Sequence, residues 1–408
     1  MNKIHIDPIQ TLQEDLMSQT FHVAIAQSDD VDEEDAITEV LDACAEQLGD
    51  RVPKAGLLFV AIDYEHEIIL AAIQERYPGV QIIGGTSDGE IASAKGYLED
   101  SITLVLFASD VLEFRAALAK NLGADPAAAT QQVIAETTAG RTDTPSMCWI
   151  VPDGLTANIS IVLRTLQAQF GQAFPILGGT AGDHWEFSRC FQFCNGEVVQ
   201  DGIPMLMVFG EVKMSIGVAS GWQPVGRKMV VTDIDGSVLK SIDGRSAFEI
   251  FQEHFGDQIR SAFGEYPLAV YPNGDEEEWH YLRAIYQVDE EAGHVILAAE
   301  IPTGSTISLT NVIRERILEG AQASMKAALD GWGEGQPELM VIVSCAARKW
   351  LLGDQAAAEF DVLQAEMQRQ GVDIPLIGFY SFGEIAPLGG ESRFHNETCV
   401  SIALGIAA

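Results

Sequence analysis

Residues 82–93 read IIGGTSDGEIAS and residues 376–387 read LIGFYSFGEIAP. The pattern [IL]-I-G-x-x-S-x-G-E-I-A thus occurs twice, about 290 residues apart, and internal self-similarity of this kind bounds a fold before any other feature. A looser third copy, ILGGTAGDHWEF, spans 176–187. Each copy follows an apolar run and a helical stretch. Each precedes another strand-like run: ITLVLFA at 102–108, PMLMVFG at 204–210 and CVSIALG at 399–405. The chain reads as several versions of one strand–helix–strand–loop–strand unit.

Outward from the first copy, HVAIAQ (22–27) predicts a strand and DDVDEEDAITEVLDACAEQL a helix, whose acidic first turn suits the positive end of the helix dipole. GLLFVAID (56–63) and the helix-like EHEIILAAIQERY follow; a second round runs through CWIVPD (148–153) and a helix over about 156–170. Strands separated by helices of this length predict an α/β protein with parallel or mixed sheets, two related regions and loops facing a shared cleft. The pattern changes after Gly221, where two D-G turns and an E-A-G turn predict antiparallel strands. The expected domains are 22–220 and 245–405, joined by a strand-rich connection at 221–244. From 311 a long helix leads to ELMVIVSCAAR and the last copy.

The 408 residues carry 24 Lys+Arg against 60 Asp+Glu, a net charge of -36 that repels phosphate backbones and anionic membranes. No nucleic-acid partner and no membrane insertion are expected. The opening MNKIHIDPIQTLQEDL lacks a signal-peptide pattern, so the expected location is the cytoplasm. Six cysteines are too sparse for a disulfide framework, and Cys190 and Cys194 read as alternating strand positions rather than a metal site.

Ligands of such sheets sit where loops leave the carboxyl ends of strands, which selects Asp63, Pro152–Asp153–Gly154, Ser344–Cys345 and the three glycine loops. Glycines 84, 85, 178, 179 and 378 either make tight turns or let the backbone approach a ligand. Gly85 to Gly89 matches G-x-S-x-G, so a serine hydrolase using Ser87 is the enzyme alternative; the broken segment after it and Phe379 in the last copy oppose this. Glu90 and Glu384 hold the same place in two copies, for acid–base work or to cap the turn. Cys345 is a small buried hydrophobe or a pocket thiol beside Arg348, which could neutralise a ligand carboxylate. His184 and His395 follow glycine loops and are hydrogen-bonders or metal donors.

These motifs resemble the FIST family. IIGGTSDGEI and PILGGTAGDHWEF resemble its N-terminal region; AFEIFQEHFG, YLRAIYQ, IPTG, SCAAR and PLIGFYSFGEIAP followed by FHNET resemble its C-terminal region, over about 22–405. The resemblance implies a sensory input protein that signals through a separate histidine kinase, chemoreceptor component or cyclic-di-GMP enzyme; no turnover is expected, because the motifs assemble no complete nucleophile–base–orienter set. It implies an amino-acid-like ligand or, in one branch, haem b with nitric oxide. There is no C-x-x-C-H for covalent haem, and His184 and His395 are the axial candidates. The candidate ligand-binding residues are Gly84, Gly85, Thr86, Ser87, Glu90, Gly178, Gly179, Asp183, Cys345, Arg348, Phe379, Tyr380, Ser381, Glu384 and Asn396.

Overall fold

The structure is a computed structural model that describes residues 21–260, 265–271 and 280–406; the segment 1–16 read above, with His5, lies outside the described residues. The chain is a mixed α/β protein in which one unit occurs three times. The first unit contains β1 (Phe21–Ser28), α1 (Glu33–Leu48), β2 (Ala55–Val60), α2 (His66–Arg76), β3 (Gln81–Thr86), β4 (Glu90–Ala92), β5 (Gly96–Leu98) and β6 (Ile102–Ser109). The second repeats it as β7 (Glu113–Lys120), α3 (Pro126–Thr138), β8 (Met147–Ile150), α4 (Ile159–Phe170), β9 (Ile176–Gly179), β10 (Gln192–Cys194), β11 (Glu197–Val199) and β12 (Gly202–Phe209).

The third unit opens with β13 (Val212–Ser220) and is then interrupted. The insertion holds β14 (Gln223–Asp235), β15 (Val238–Ile242), β16 (Arg245–Ser246), α5 (Ala247–Phe255), β17 (Leu268–Tyr271), β18 (Tyr281–Arg283), β19 (Ile285–Asp289), β20 (His294–Leu297) and β21 (Thr306–Asn311), all in one antiparallel sheet apart from the helix. The unit resumes with α6 (Arg314–Trp332), β22 (Leu339–Cys345), α7 (Ala346–Leu352), α8 (Ala357–Arg369), β23 (Leu376–Ser381), β24 (Glu384–Leu388), β25 (Glu391–His395) and β26 (Thr398–Ile406). In the first two units only residues 29–32 and 121–125 separate the opening strand from its helix; in the third the gap is 221–313.

Each unit builds most of a sheet in the same order, first strand, last strand, then a parallel pair: β1-β6-β2-β3, β7-β12-β8-β9 and β13-β26-β22-β23. None finishes its own sheet. The hairpin β4–β5 of the first unit pairs with β23 of the third, β10–β11 of the second with β3 of the first, and β24–β25 of the third with β9 of the second. The three hairpins are exchanged in a closed cycle, so the sheets are shared between the two sequence halves.

The central strands are apolar on both faces, as strands covered on both sides must be. Leu57, Phe59 and Ile83 of the first unit, Trp149, Val151 and Leu177 of the second, and Val341, Val343 and Ile377 of the third meet in one core. Leu58, Val60 and Ile82 face the other way, onto α1 and α2, and Cys148, Ile150 and Ile176 onto α3 and α4. The helices begin where their sequences dictate. Asp32 accepts from the amides of Glu34 and Asp35, and Asp125 from that of Ala128 beside Pro126. Among the described residues no helix is long and apolar enough to cross a membrane.

Candidate functional site

The three repeated loops face one another at the centre of the cycle and touch directly. Thr86 N donates to Phe191 O, Thr180 N to Gly383 O and Tyr380 N to Gly89 O, each at 2.9 Å. Across the exchanged hairpins Gly85 pairs with Gln192, Gly179 with Glu384 and Phe379 with Glu90. The leading glycines serve this packing. A Cβ on Gly84, Gly178 or Gly378 would run into the backbone carbonyl of Leu58, Ile150 or Ile342 on the parallel neighbour strand. Where the last copy has Phe379 for the second glycine, that ring stacks on Phe59 at 3.9 Å.

Ser87 and Glu90 share a hydrogen bond, and Ser101 Oγ donates to the other Glu90 oxygen at 2.6 Å. In the last copy Ser381 Oγ donates to Glu384 at 3.3 Å, while Thr398 gives its amide at 3.1 Å and its hydroxyl at 2.6 Å. The middle copy puts an uncharged Gln192 in this place, accepting from Gly202 N at 3.1 Å. Burial pushes both glutamates up to about 8, against the lowering effect of their hydroxyl partners. Burial thus favours the protonated, neutral form of both. Ser87 is fully buried, whereas a nucleophile elbow presents its hydroxyl to substrate.

Asp183, in the longer middle loop, accepts from the amides of Phe187, Ser188 and Arg189 at 2.7–2.9 Å. Arg348 is fully buried and ion-paired with Glu359; it also donates to Ser344 Oγ at 3.2 Å and to Ile317 O at 2.8 Å. Its charge is thereby paired inside the third unit, and its side chain does not line either cavity described below. His395 Nε2 lies 3.0 Å from Ala386 O, and burial lowers its pKa to about 4. His184 Nε2 is buried without a hydrogen-bond partner, 3.6 Å from Asp100. Cys190 and Cys194 are free buried thiols, and no metal-ligating cluster occurs among the described residues.

A cavity of about 400 Å³ opens beside this centre. Trp185 and Phe187 of the middle loop, Tyr286 of the inserted sheet, and Cys345, Phe382 and Glu397 of the third unit line it. Ring contacts knit the wall: Trp185–Phe187 at 4.9 Å, Phe187–Phe382 at 4.5 Å and Phe187–Tyr286 at 6.2 Å. Trp185, Phe187 and Glu397 have φ of 65°, 50° and 59°, conformations that non-glycine residues hold only when their surroundings impose them and that cluster at binding sites. Glu397 is buried with Oε1 unpartnered, and its Oε2 lies 3.8 Å from Cys345 Sγ. Burial, then the nearby Glu384, holds the Glu397 carboxyl well above the usual range; burial and both glutamates do the same to the Cys345 thiol. The thiol is therefore no nucleophile at neutral pH.

Of the fifteen ligand-binding residues expected from sequence, Cys345 and Asn396 line this cavity, and the loop residues Gly84 to Glu90, Gly178, Gly179 and Phe379 to Glu384 lie in the packed centre. Trp185, Phe187, Tyr286 and Glu397 also line the cavity and carry no expectation from sequence, although GDHWEF and FHNET set an aromatic pair and an acid beside His184 and Asn396.

A description of the FIST N domain matches residues 54–245, and one of the FIST C domain matches 247–387. The chain belongs to the FIST family. FIST domains are associated with sensing in signal transduction, and no enzyme activity is indicated for them. Among curated relatives, an uncharacterised protein of Methanocaldococcus jannaschii is 24% identical over 245 residues, 54% of this chain and 47% of that protein. One of Mycobacterium tuberculosis is 23% identical over 272 residues, 62% of this chain and 67% of that protein. The matched part thus spans about half of the archaeal relative's length. The solved PurLQS structure from Thermotoga maritima covers 95% of this FIST chain and 73% of its own, at 11% identity and a TM-score of 0.24, too low to carry an argument.

Proposed function

We propose that this protein is a cytoplasmic sensor that binds a small amine or amino acid in the aromatic cavity, without turning it over, and signals through a separate protein. The observation that carries this reading is Glu397, a buried acid with an unpartnered oxygen, set among aromatic rings. A cavity of this size, mostly apolar with few convergent polar groups, has the makeup of a small-molecule site. Aromatic faces attract ammonium groups, and an entering ammonium supplies the positive charge that Glu397 lacks. The ligand contacts all three parts that form the wall, so its arrival changes how the inserted sheet sits on the ring. That shift is the signal offered to a histidine kinase, chemoreceptor component or cyclic-di-GMP enzyme.

The test is a thermal-shift screen of the full chain against the amino acids and small primary amines. A hit raises the melting temperature of the wild type and not of Trp185→Ala or Glu397→Gln. A hit that survives both substitutions, or a screen with none, rejects the reading.

Haem with nitric oxide is the rival ligand, and the cavity is a poor fit for it. No imidazole lines the cavity, Cys345 is held protonated, and His395 Nε2 is engaged by a carbonyl. A Soret band in protein from haem-supplemented cells, lost in His184→Ala or His395→Ala, would reverse that preference. Hydrolysis by Ser87 is opposed by its burial; ester cleavage abolished by Ser87→Ala would restore it.

A further inference from the structure

A larger cavity, of about 580 Å³, is walled in part by Tyr281, Arg283 and residues 391–395, which directly precede residues 284–287 and 396–397 of the aromatic one. Its floor is Arg283 of β18, which is 7% exposed. Nη1 of Arg283 donates to Phe394 O at 2.9 Å, to Leu282 O at 3.2 Å and to Asn396 Oδ1 at 3.4 Å; Nε reaches only Glu300 O, at 3.5 Å. Every one of these acceptors is neutral. No carboxylate of the described residues forms an ion pair with Arg283, and its Nη2 has no hydrogen-bond partner among them. A guanidinium stays charged at any physiological pH, so the interior here holds a positive charge with no carboxylate in ion-pair contact, an arrangement that interiors tolerate poorly.

The rest of the cavity does not supply one. Arg164 is paired with Glu300, and Arg393 with Glu391. Three arginines against two glutamates leave one positive charge in a chain whose net charge is -36. His395, at the rim, is neutral above about 4. Burial lowers the Arg283 pKa, and the Arg393 charge adds to it; Tyr281, whose ring it overlies at 4.8 Å, and the more distant Glu300, itself paired with Arg164, oppose this. An anion entering beside Arg283 removes both penalties at once. Leu163, Ile234 and Phe394 give the cavity an apolar side.

We propose that this second cavity binds a small organic monoanion, its carboxylate seated on Arg283 and its body against Leu163, Ile234 and Phe394. One unmatched positive charge fits one carboxylate, and the guanidinium is suited to planar oxygen pairs. This site is separate from the aromatic cavity, and its existence does not depend on what that cavity holds.

The experiment uses the full chain with benzoate as probe, benzamide as its uncharged isostere and inorganic phosphate as the competing oxyanion, all at matched ionic strength. Benzoate is expected to bind by calorimetry and to raise the melting temperature, and benzamide to do neither. Arg283→Gln is expected to abolish binding. Should that variant fail to fold, Arg393→Gln, on a partly exposed side chain, answers the same question: removing its charge leaves the cavity neutral, and benzoate binding should weaken about tenfold. Trp185→Ala should keep wild-type benzoate affinity. The proposal is overturned if benzamide equals benzoate, if no carboxylate effect is seen, if Arg393→Gln binds as wild type, or if Trp185→Ala removes binding. Phosphate binding more tightly than benzoate overturns the carboxylate assignment.

Discussion

Glu90 and Glu384 sit in equivalent, fully buried places, and their protons are part of the native structure. Their folded pKa of about 8 lies above the ordinary 4.5, so between those values the native state holds protons that the unfolded chain has released. Stability from this source is complete below the unfolded value and is lost as pH rises towards 8. Asp88, raised to about 7 by burial, acts in the same direction. His395 acts oppositely, since its folded value of about 4 lies below 6.5 and stability falls as pH drops through that window. His66 and His22 are lowered by burial as well, but Glu397 joins the raised acids, and the four acids outweigh the imidazoles. Urea melts are therefore expected to give greater stability near about pH 5.5 than near about pH 8, and the Glu90→Gln, Glu384→Gln pair should flatten the slope. A second expectation concerns glycine. Gly84→Ala or Gly178→Ala should cost on the order of 1–3 kcal/mol or prevent folding, because the neighbouring carbonyl is backbone and cannot swing away. Gly196, with open space around its Cβ position, is the control; its alanine variant should melt as wild type.

At the scale of elements, much of the third unit's departure from the other two is one insertion. Residues 221–313 stand where four or five residues connect strand to helix elsewhere. Replacing them with a connector like 29–32 is expected to leave a cooperative thermal transition by circular dichroism, while removing Tyr286 and with it the aromatic cavity. Ligand binding should vanish although the ring folds. The sequence made the repeats legible through their glycines, and it made the antiparallel insertion legible through its D-G turns. It hid the counterpart of Glu90 in the middle unit. Residues 182–191 intervene there, and the equivalent position is Gln192, which still accepts a hydrogen bond and has no proton to lose. The aromatic wall was hidden for a different reason: Trp185 and Phe187 are brought to Tyr286 by left-handed backbone in an irregular loop, where no periodicity announces which way a side chain points.

For the whole molecule, strand pairing crosses the sequence midpoint twice. The first unit needs β10–β11, the second needs β24–β25 and the third needs β4–β5. A fragment of residues 1–220 lacks β24–β25 and leaves β4–β5 without β23, so it is expected to aggregate or to lack a sharp unfolding transition. Co-expression with residues 211–408 should recover soluble complex, measured by co-purification of an untagged partner. Hairpin pairing across units was not readable from pattern alone, because an apolar alternation states that a strand has neighbours and not which unit provides them.

The cyclic exchange also bears on descent. A hairpin that always completes the next unit's sheet works equally well whether the next unit lies on the same chain or on another, which is the condition for domain swapping. An ancestor one third as long could have closed the same ring as a homotrimer, each subunit lending its hairpin forward. Two fusions would then have given this chain, freeing one copy to lose its glutamate and another to accept a large insertion. A single idealised unit, built from the first repeat with matched hairpin contacts, should accordingly sediment as a trimer; a folded monomer would argue against that origin.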